Sequence, residues 1–145
     1  MPSWHHPPVT ESTPLWQLPW QVTREEFVRT AAEVTSGGAC CVFVIDDTIP
    51  KLARSGYAAL VIAYARADEP VCILDDGAAA LLVRDGGTAS GRAVAGRVLD
   101  QMRRLALDQT LRAGVAALGS DPAGSMAAAR DAAVAGPAGA ISVAS

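Results

Sequence analysis

No asparagine occurs anywhere in this 145-residue sequence, and lysine occurs once, at Lys51, against eleven arginines. Without an Asn amide, no site here reads a base edge or completes a metal shell through that side chain. Histidine is confined to His5 and His6 in a proline-rich stretch, so neither a Ser-His-Asp nor a Cys-His constellation is available. That argues against nucleophilic hydrolysis of either kind. Cys40, Cys41 and Cys72 are too few for a disulfide framework, and a zinc site takes more ligands at closer spacing. All three stand in apolar runs, where cysteine behaves as a small buried hydrophobe. Cys40 and Cys41 are adjacent, so on a strand they point to opposite faces. Positive charge is scarce too: 12 Lys and Arg against 15 Asp and Glu leave no broad cationic face for DNA or RNA. No uncharged stretch approaches the ~20 residues of a membrane span. No basic segment followed by an apolar run opens the chain, so no secretory signal is expected and a cytoplasmic location is.

What remains is half apolar, with a mean hydropathy of +0.23, and long enough for one domain with a real core. Alanine takes 29 positions, the usage of a GC-rich bacterial genome. Residues 1–20 hold Trp4, Trp16 and Trp20 between Pro2, Pro7, Pro8, Pro14 and Pro19. Prolines at that density prevent a helix or a central strand. This arm either packs its tryptophans on its own domain or docks them on a partner, because Trp is enriched at binding hot spots. The domain proper is expected to span residues 21–145.

Thr23 and Glu26 form a capping box, with Val22 and Phe27 placed as a hydrophobic staple. Phe27, Ala31 and Val34 then share one helical face, and Gly37-Gly38 ends the element. The apolar run Cys40 to Ile45 predicts a buried central strand with Asp46 and Asp47 at its C-terminal end. Pro50 opens a second helix whose inward stripe is read as Leu52, Ala59, Leu60 and Ala63. Strands over Val71 to Leu74 and Ala78 to Val83 are joined through Asp75-Asp76-Gly77, residues that tolerate the positive φ of a hairpin turn. Gly86-Gly87 precedes a helix with Val94, Val98, Met102 and Leu105 inward. A strand over Thr110 to Leu118 follows. Asp121 as N-cap and Pro122 at N1 open an Ala-rich helix, and Ala140 to Ala144 forms a last short strand. The order α-β-α-β-β-α-β-α-β with an internal hairpin predicts an α+β fold of ferredoxin-like or palm type, its antiparallel sheet covered by helices on one face.

From about Leu18 onward the sequence resembles a shortened GGDEF domain, the palm domain of diguanylate cyclases. Leu18-Pro19 followed by Arg24-Glu25-Glu26-Phe27 is similar to the family's opening turn and helix. The strand ending in Asp46, with Lys51 beyond it, resembles the metal-site strand and its Asp-x-Asp-x-Phe-Lys signature. The stretch 75–83 falls where the signature hairpin belongs, and Leu111-Arg112-Ala113-Gly114-Val115-Ala116 looks like the Ser-x-Gly-Val-Ala strand. The segment Met126 to Val134, then Gly136 and Val143, resembles the closing helix, turn and strand. The resemblance implies the nucleotidyl-cyclase version of the palm, a central antiparallel-containing sheet with flanking helices. It also implies two carboxylates holding a divalent metal that activates a ribose hydroxyl and neutralises a triphosphate.

The departures bear directly on that chemistry. Asp46 stands for the first carboxylate, but the third signature position, where the second belongs, is Gly77, and Asp75 and Asp76 replace the two glycines. Shifting an acid by one residue turns it to the other face of a strand. The segment that normally reads guanine is shortened and has no Asn. The expectation is therefore a catalytically inactive regulatory domain with no cofactor, acting through protein contact as a homo-oligomer or on a signalling partner. Trp4, Trp16 and Trp20 are its candidate interface. The alternative is a module that binds a guanine nucleotide or cyclic di-GMP without turnover. It would use Arg66 with Glu69, which resemble the family's inhibitory Arg-x-x-Asp site, or the loop Gly86-Gly87-Thr88-Ala89-Ser90-Gly91 at a helix N-terminus. A third reading is a metal-dependent nucleotide enzyme with Mg²⁺ at Asp46, helped by Asp75 and Asp76. Plain readings stand beside each: a solvated charge cluster at Arg66 to Glu69, a turn and helix cap at Gly86 to Gly91, and an acidic turn at Asp75-Asp76.

Overall fold

The computed structural model describes residues 21–34, 37–50, 53, 54, 56, 58, 61, 64, 65, 69–74 and 77–144. Expectations that fall on Trp4, Trp16, Trp20, Lys51, Arg66, Asp75 and Asp76, and on the stripe Leu52, Ala59, Leu60 and Ala63, lie outside those residues. The elements are α1 (Arg24–Ala32), β1 (Ala39–Ile45), β2 (Val71–Ile73), β3 (Ala79–Val83), α2 (Gly87–Arg104), β4 (Leu111–Ala117), α3 (Pro122–Ala135) and β5 (Ile141–Val143). Between β1 and β2, residues 53, 54, 56, 58, 61 and 64 are helical. The carbonyl of Pro50 accepts from the amides of Ala53 and Arg54 there, which places Pro50 in the first turn.

The strands form one sheet in the order β2-β3-β1-β4-β5. The pairs β2/β3, β1/β3 and β1/β4 are antiparallel, and β4/β5 is parallel. This is the α+β arrangement of the palm, with one correction to the sequence expectation: helices cover both faces of the sheet rather than one. The reason is β1 itself, which is apolar at every position from Ala39 to Ile45 and so buries both of its faces. Cys41, Phe43 and Ile45 join Leu81, Val115 and Ala95, Val98, Leu99 and Met102 of α2 in one core. Cys40 and Val42 join Cys72, Leu82, Phe27 and Ala31 of α1, and Met126 and Ala129 of α3 in the other. The adjacent cysteines thus face opposite sides.

Local signals explain most element ends. The Glu26 amide donates to Thr23 Oγ1 at 3.1 Å, capping α1, and Val22 packs against the same core as Phe27. Phe27 is 1% exposed, and burying such a side chain contributes about 1.5–3 kcal/mol. Along α2 the inward positions are Gly91, Ala95, Val98, Leu99 and Met102. Leu105, expected inward, is 48% exposed, because the helix has ended and Ala106 takes a positive φ of 59°. After Pro50 the buried face runs through Ala58, Val61 and Ala65. At Gly114 of β4 an added Cβ would collide with the backbone of Ala129 and Ala133, so α3 lies directly on that strand. Among the described residues no helix is long and apolar enough to cross a membrane.

Candidate functional site

The C-terminal end of β1 and the β2–β3 turn lie at the same end of the sheet, since Phe43 pairs with Ala79 and Ile45 with Leu111. Asp46 follows directly. Its amide donates to the Thr110 carbonyl at 2.9 Å, and its carbonyl accepts from Ile49 at 3.0 Å. Its carboxylate Oδ1 accepts from both the amide and the hydroxyl of Thr48, each at 2.9 Å. This is an Asx turn, in which the side chain satisfies the backbone it has just left. The Thr48 amide bond, then the Thr48 hydroxyl and more weakly the Arg112 charge, hold the Asp46 carboxyl below the usual carboxylate range.

Across from it, Gly77 closes the hairpin, its amide donating to Leu74 at 2.9 Å while Leu74 donates to Ala78 at 2.7 Å. Gly77 has a φ of +89°, and a Cβ built on it lies 3.2 Å from Cβ of Arg54. The stem of Arg54 therefore covers the turn. Its guanidinium reaches back to the β1 end, with Nε donating to the Ile49 carbonyl at 2.9 Å and Nη2 to that of Asp47 at 3.4 Å. Below these residues is a cavity of about 240 Å³. Its polar lining is Asp47, Arg54, Arg112 and Arg130, and its apolar lining includes Val44, Ile45 and Ala78. Arg112 is held by a bond from Nε to the Gly136 carbonyl at 3.1 Å.

No protein-family profile and no curated protein sequence matches the chain. Solved structures do. The GGDEF domain of YfiN (also TpbB) from Pseudomonas aeruginosa superimposes with a TM-score of 0.65 at 18% identity, over 88% of this chain and 99% of that one. The fold is that of a GGDEF domain. The coiled coil and GGDEF domain of DgcB from Caulobacter crescentus, solved in complex with c-di-GMP, gives 0.67 at 18% identity, over 83% of this chain and 78% of that one. The FimX GGDEF domain from P. aeruginosa gives 0.56 at 17% identity, over 80% and 91%.

In a GGDEF frame, the end of β1 and the hairpin are where a divalent metal is expected. The described residues do not fit one. No group of three or more His, Cys, Asp or Glu side chains gathers among them. Asp46 has Oδ1 engaged by Thr48, and the cationic side chain of Arg112 acts on the same carboxylate, which disfavours a metal ion there. Asp75 and Asp76 lie outside the described residues.

The other candidates are placed elsewhere. Glu69 is 8% exposed and forms a forked ion pair with Arg97 of α2 through both guanidinium Nη groups. Its proposed companion Arg66 lies outside the described residues. Gly86 is the N-cap of α2 with a φ of +86°, and the Gly87 amide is engaged by the Gly37 carbonyl at 2.5 Å. The Ser90 amide donates to the Gly86 carbonyl, so two of this loop's donors are already engaged, one by the α1–β1 connection and one by its own turn; Thr88 is half-buried beside them. The loop borders the Ala39–Val83 pair, at the opposite end of the sheet from Asp46. Seven strand residues at ~3.3 Å each put the two ends roughly 20 Å apart. They form no common site.

The three thiols are free and buried. Burial pushes Cys41 up to about 12, with the Glu69 charge adding to it, and pushes Cys72 up to about 12; Cys40 rises for the same first reason. They are structural, as the sequence implied. Sequence reading passed over Arg54, Arg97, Arg112 and Arg130 as site residues. One signal was present for Arg112: a charge inside Leu111-Arg112-Ala113-Gly114-Val115, an otherwise apolar strand, requires a partner or a cavity.

Proposed function

We propose that this chain is a GGDEF-fold regulatory domain of cyclic di-GMP signalling that has no cyclase turnover. It acts in the cytoplasm through protein contact, as a homodimer or on a signalling partner. The observation that carries the reading is Gly77: where the family resemblance puts the second metal-binding acid, the backbone has a positive φ and the stem of Arg54 stands over it. Incubation with GTP and Mg²⁺ or Mn²⁺ is expected to yield neither cyclic di-GMP nor pyrophosphate. Turnover that disappears in Asp46→Ala overturns this reading.

Protein contact rests on the tryptophan arm. Light scattering on the full chain is expected to give a mass above the 14.9 kDa of one copy, reduced when Trp4, Trp16 and Trp20 are all changed to alanine. A monomer in both cases, less stable without its tryptophans, assigns the arm to the core instead. A second reading, cyclic di-GMP binding without turnover, draws on the DgcB relative, which was solved with that ligand. Calorimetric titration with cyclic di-GMP separates it from pure protein contact.

A further inference from the structure

The two margins of the sheet are finished differently. At β2 the chain covers its own edge: Gln21 bridges to Val71, and the Val22 amide donates to the Val71 carbonyl at 2.8 Å. At β5 no described residue does the same. The inward bonds of β5 fix which of its groups are left over. The Ala140 carbonyl accepts from Ala113 at 3.2 Å, the Ala144 amide donates to Val115 at 2.8 Å, and Ser142 stands against Gly114 in the parallel register. Residues 140, 142 and 144 therefore bond toward β4, and the N–H and C=O groups of Ile141 and Val143 point outward. Nothing blunts this edge. Residues 137–144 carry no charge, the register with β4 has no bulge, and Pro137 precedes the strand. The helices α2 and α3 pack chiefly over β1 and β4 and touch β5 less, which leaves the margin uncovered. Ile141 packs on the α2-side core next to Gly96, and Val143, two residues on and on the same face, is 41% exposed. Ser142 turns to the other face, beside Gly136.

The outward groups are symmetric about Ser142, so the edge is complementary to itself. A second copy turned about a two-fold axis at Ser142 lays an antiparallel strand alongside. Ile141 then exchanges both backbone bonds with the partner's Val143, and Val143 does so with the partner's Ile141. On the α2 face these pairs bring β-branched side chains together and cover Val143; on the other face Ser142 meets the partner's Ser142. No like charges meet across the axis, because the segment has none. The helices do not collide. Each β4 lies three interstrand spacings, roughly 14 Å, from its mate, whereas packed helices need only about 8–10 Å.

We propose that β5 is a self-association edge, which pairs antiparallel with β5 of a second copy and joins two five-stranded sheets into one. The inference goes beyond the proposed function, whose protein contact rests on the tryptophan arm: that arm leads into the domain at Gln21, on the opposite margin. A three-residue edge buries far less than the ~800 Å² per partner of a stable complex, so the pairing is reversible and grows with concentration.

The test is amide hydrogen exchange of the full chain at protein concentrations from roughly 10 μM to 1 mM, the range of weak association. Exchange at Ile141 and Val143 is expected to slow about fivefold over that range, and exchange at Ser142, which bonds inward, to stay level. Val143→Pro removes one outward donor and no bond to β4, so it should abolish the slowing at Ile141 with little change in thermal midpoint. Cross-linking supplies a second readout. Ser142→Cys puts a thiol on the axis at a non-hydrogen-bonded pair, with Cα atoms about 4.5 Å apart and within reach of a disulfide. Diamide should convert it to a covalent dimer at least tenfold faster than Ala140→Cys, and the chain's own thiols, all buried, do not compete. The same cross-link should persist when Trp4, Trp16 and Trp20 are changed to alanine, so failure of the arm and failure of the edge are read separately. Exchange at Ile141 and Val143 that ignores concentration overturns the proposal, whether the amides are protected by another part of the same chain or by nothing. So does slowing that survives in folded Val143→Pro, or equal cross-linking at positions 140 and 142.

Discussion

At Gly77, where the family resemblance puts an acid, the backbone geometry favours glycine. With φ at +89° and Arg54 Cβ 3.2 Å from any added Cβ, a side chain is both strained and crowded there. Gly77→Glu, which puts an acid where the resemblance expects one, is therefore expected to lose about 1–3 kcal/mol in urea unfolding. It should gain no GTP turnover. The thiols supply a second prediction at this scale. Cys41 and Cys72 have folded values pushed up to about 12 from an ordinary 9.0 by burial, so the unfolded chain ionises first as pH rises. Their contribution to stability is complete below pH 9 and is lost as pH climbs from there toward 12. Urea midpoints should hold level up to about pH 9 and then fall, less steeply in Cys72→Ala. Asp46 has the opposite sign: its lowered carboxyl favours the folded state above the ordinary carboxylate range and loses that effect as pH falls through its folded value.

Elements with a strong local signature were legible in the sequence. The capping box at Thr23, the apolar run of β1, the hairpin strands, the Gly86 boundary of α2 and the Pro122 start of α3 all stand where residue chemistry put them. Thr23→Ala is expected to cost about 1 kcal/mol, read as a lower thermal midpoint, because the Glu26 amide loses its acceptor. What sequence left obscure has one physical cause: relations between elements are not written in either element. Around an Ala-rich helix periodicity does not mark the buried face, so the stripe Ala58, Val61 and Ala65 gave no distinct signal. The Glu69–Arg97 pair joins residues 28 apart, and Arg54, Arg112 and Arg130 meet only after the sheet has formed. The α3–β4 contact is of the same kind. Gly114→Ala pushes a methyl group into the backbone of Ala129 and Ala133, and a loss of about 1–3 kcal/mol is expected in chemical denaturation. Gly96→Ala, whose nearest neighbour outside its own helix is a side-chain atom at 3.8 Å, is the matched comparison and should be tolerated.

Over the whole molecule, the sheet separates features that lie close together in the sequence. The Asp46 turn and the Gly86 loop sit at opposite ends of the strands, and the two cores lie on opposite faces. The strand order has a mechanical consequence as well. Gln21 bridges to Val71 on the β2 margin, whereas Ala144 donates to Val115 just past β5 on the other. Four interstrand spacings of ~4.8 Å separate these margins, which puts the two attachment points roughly 20 Å apart across the strands rather than along them. Tension applied through residues 21 and 144 has a large component perpendicular to the strands. It loads the hydrogen bonds one after another instead of shearing a whole ladder together. The outer seams β2–β3 and β4–β5 are each only three residue pairs long, so the domain yields under load by peeling from its margins inward.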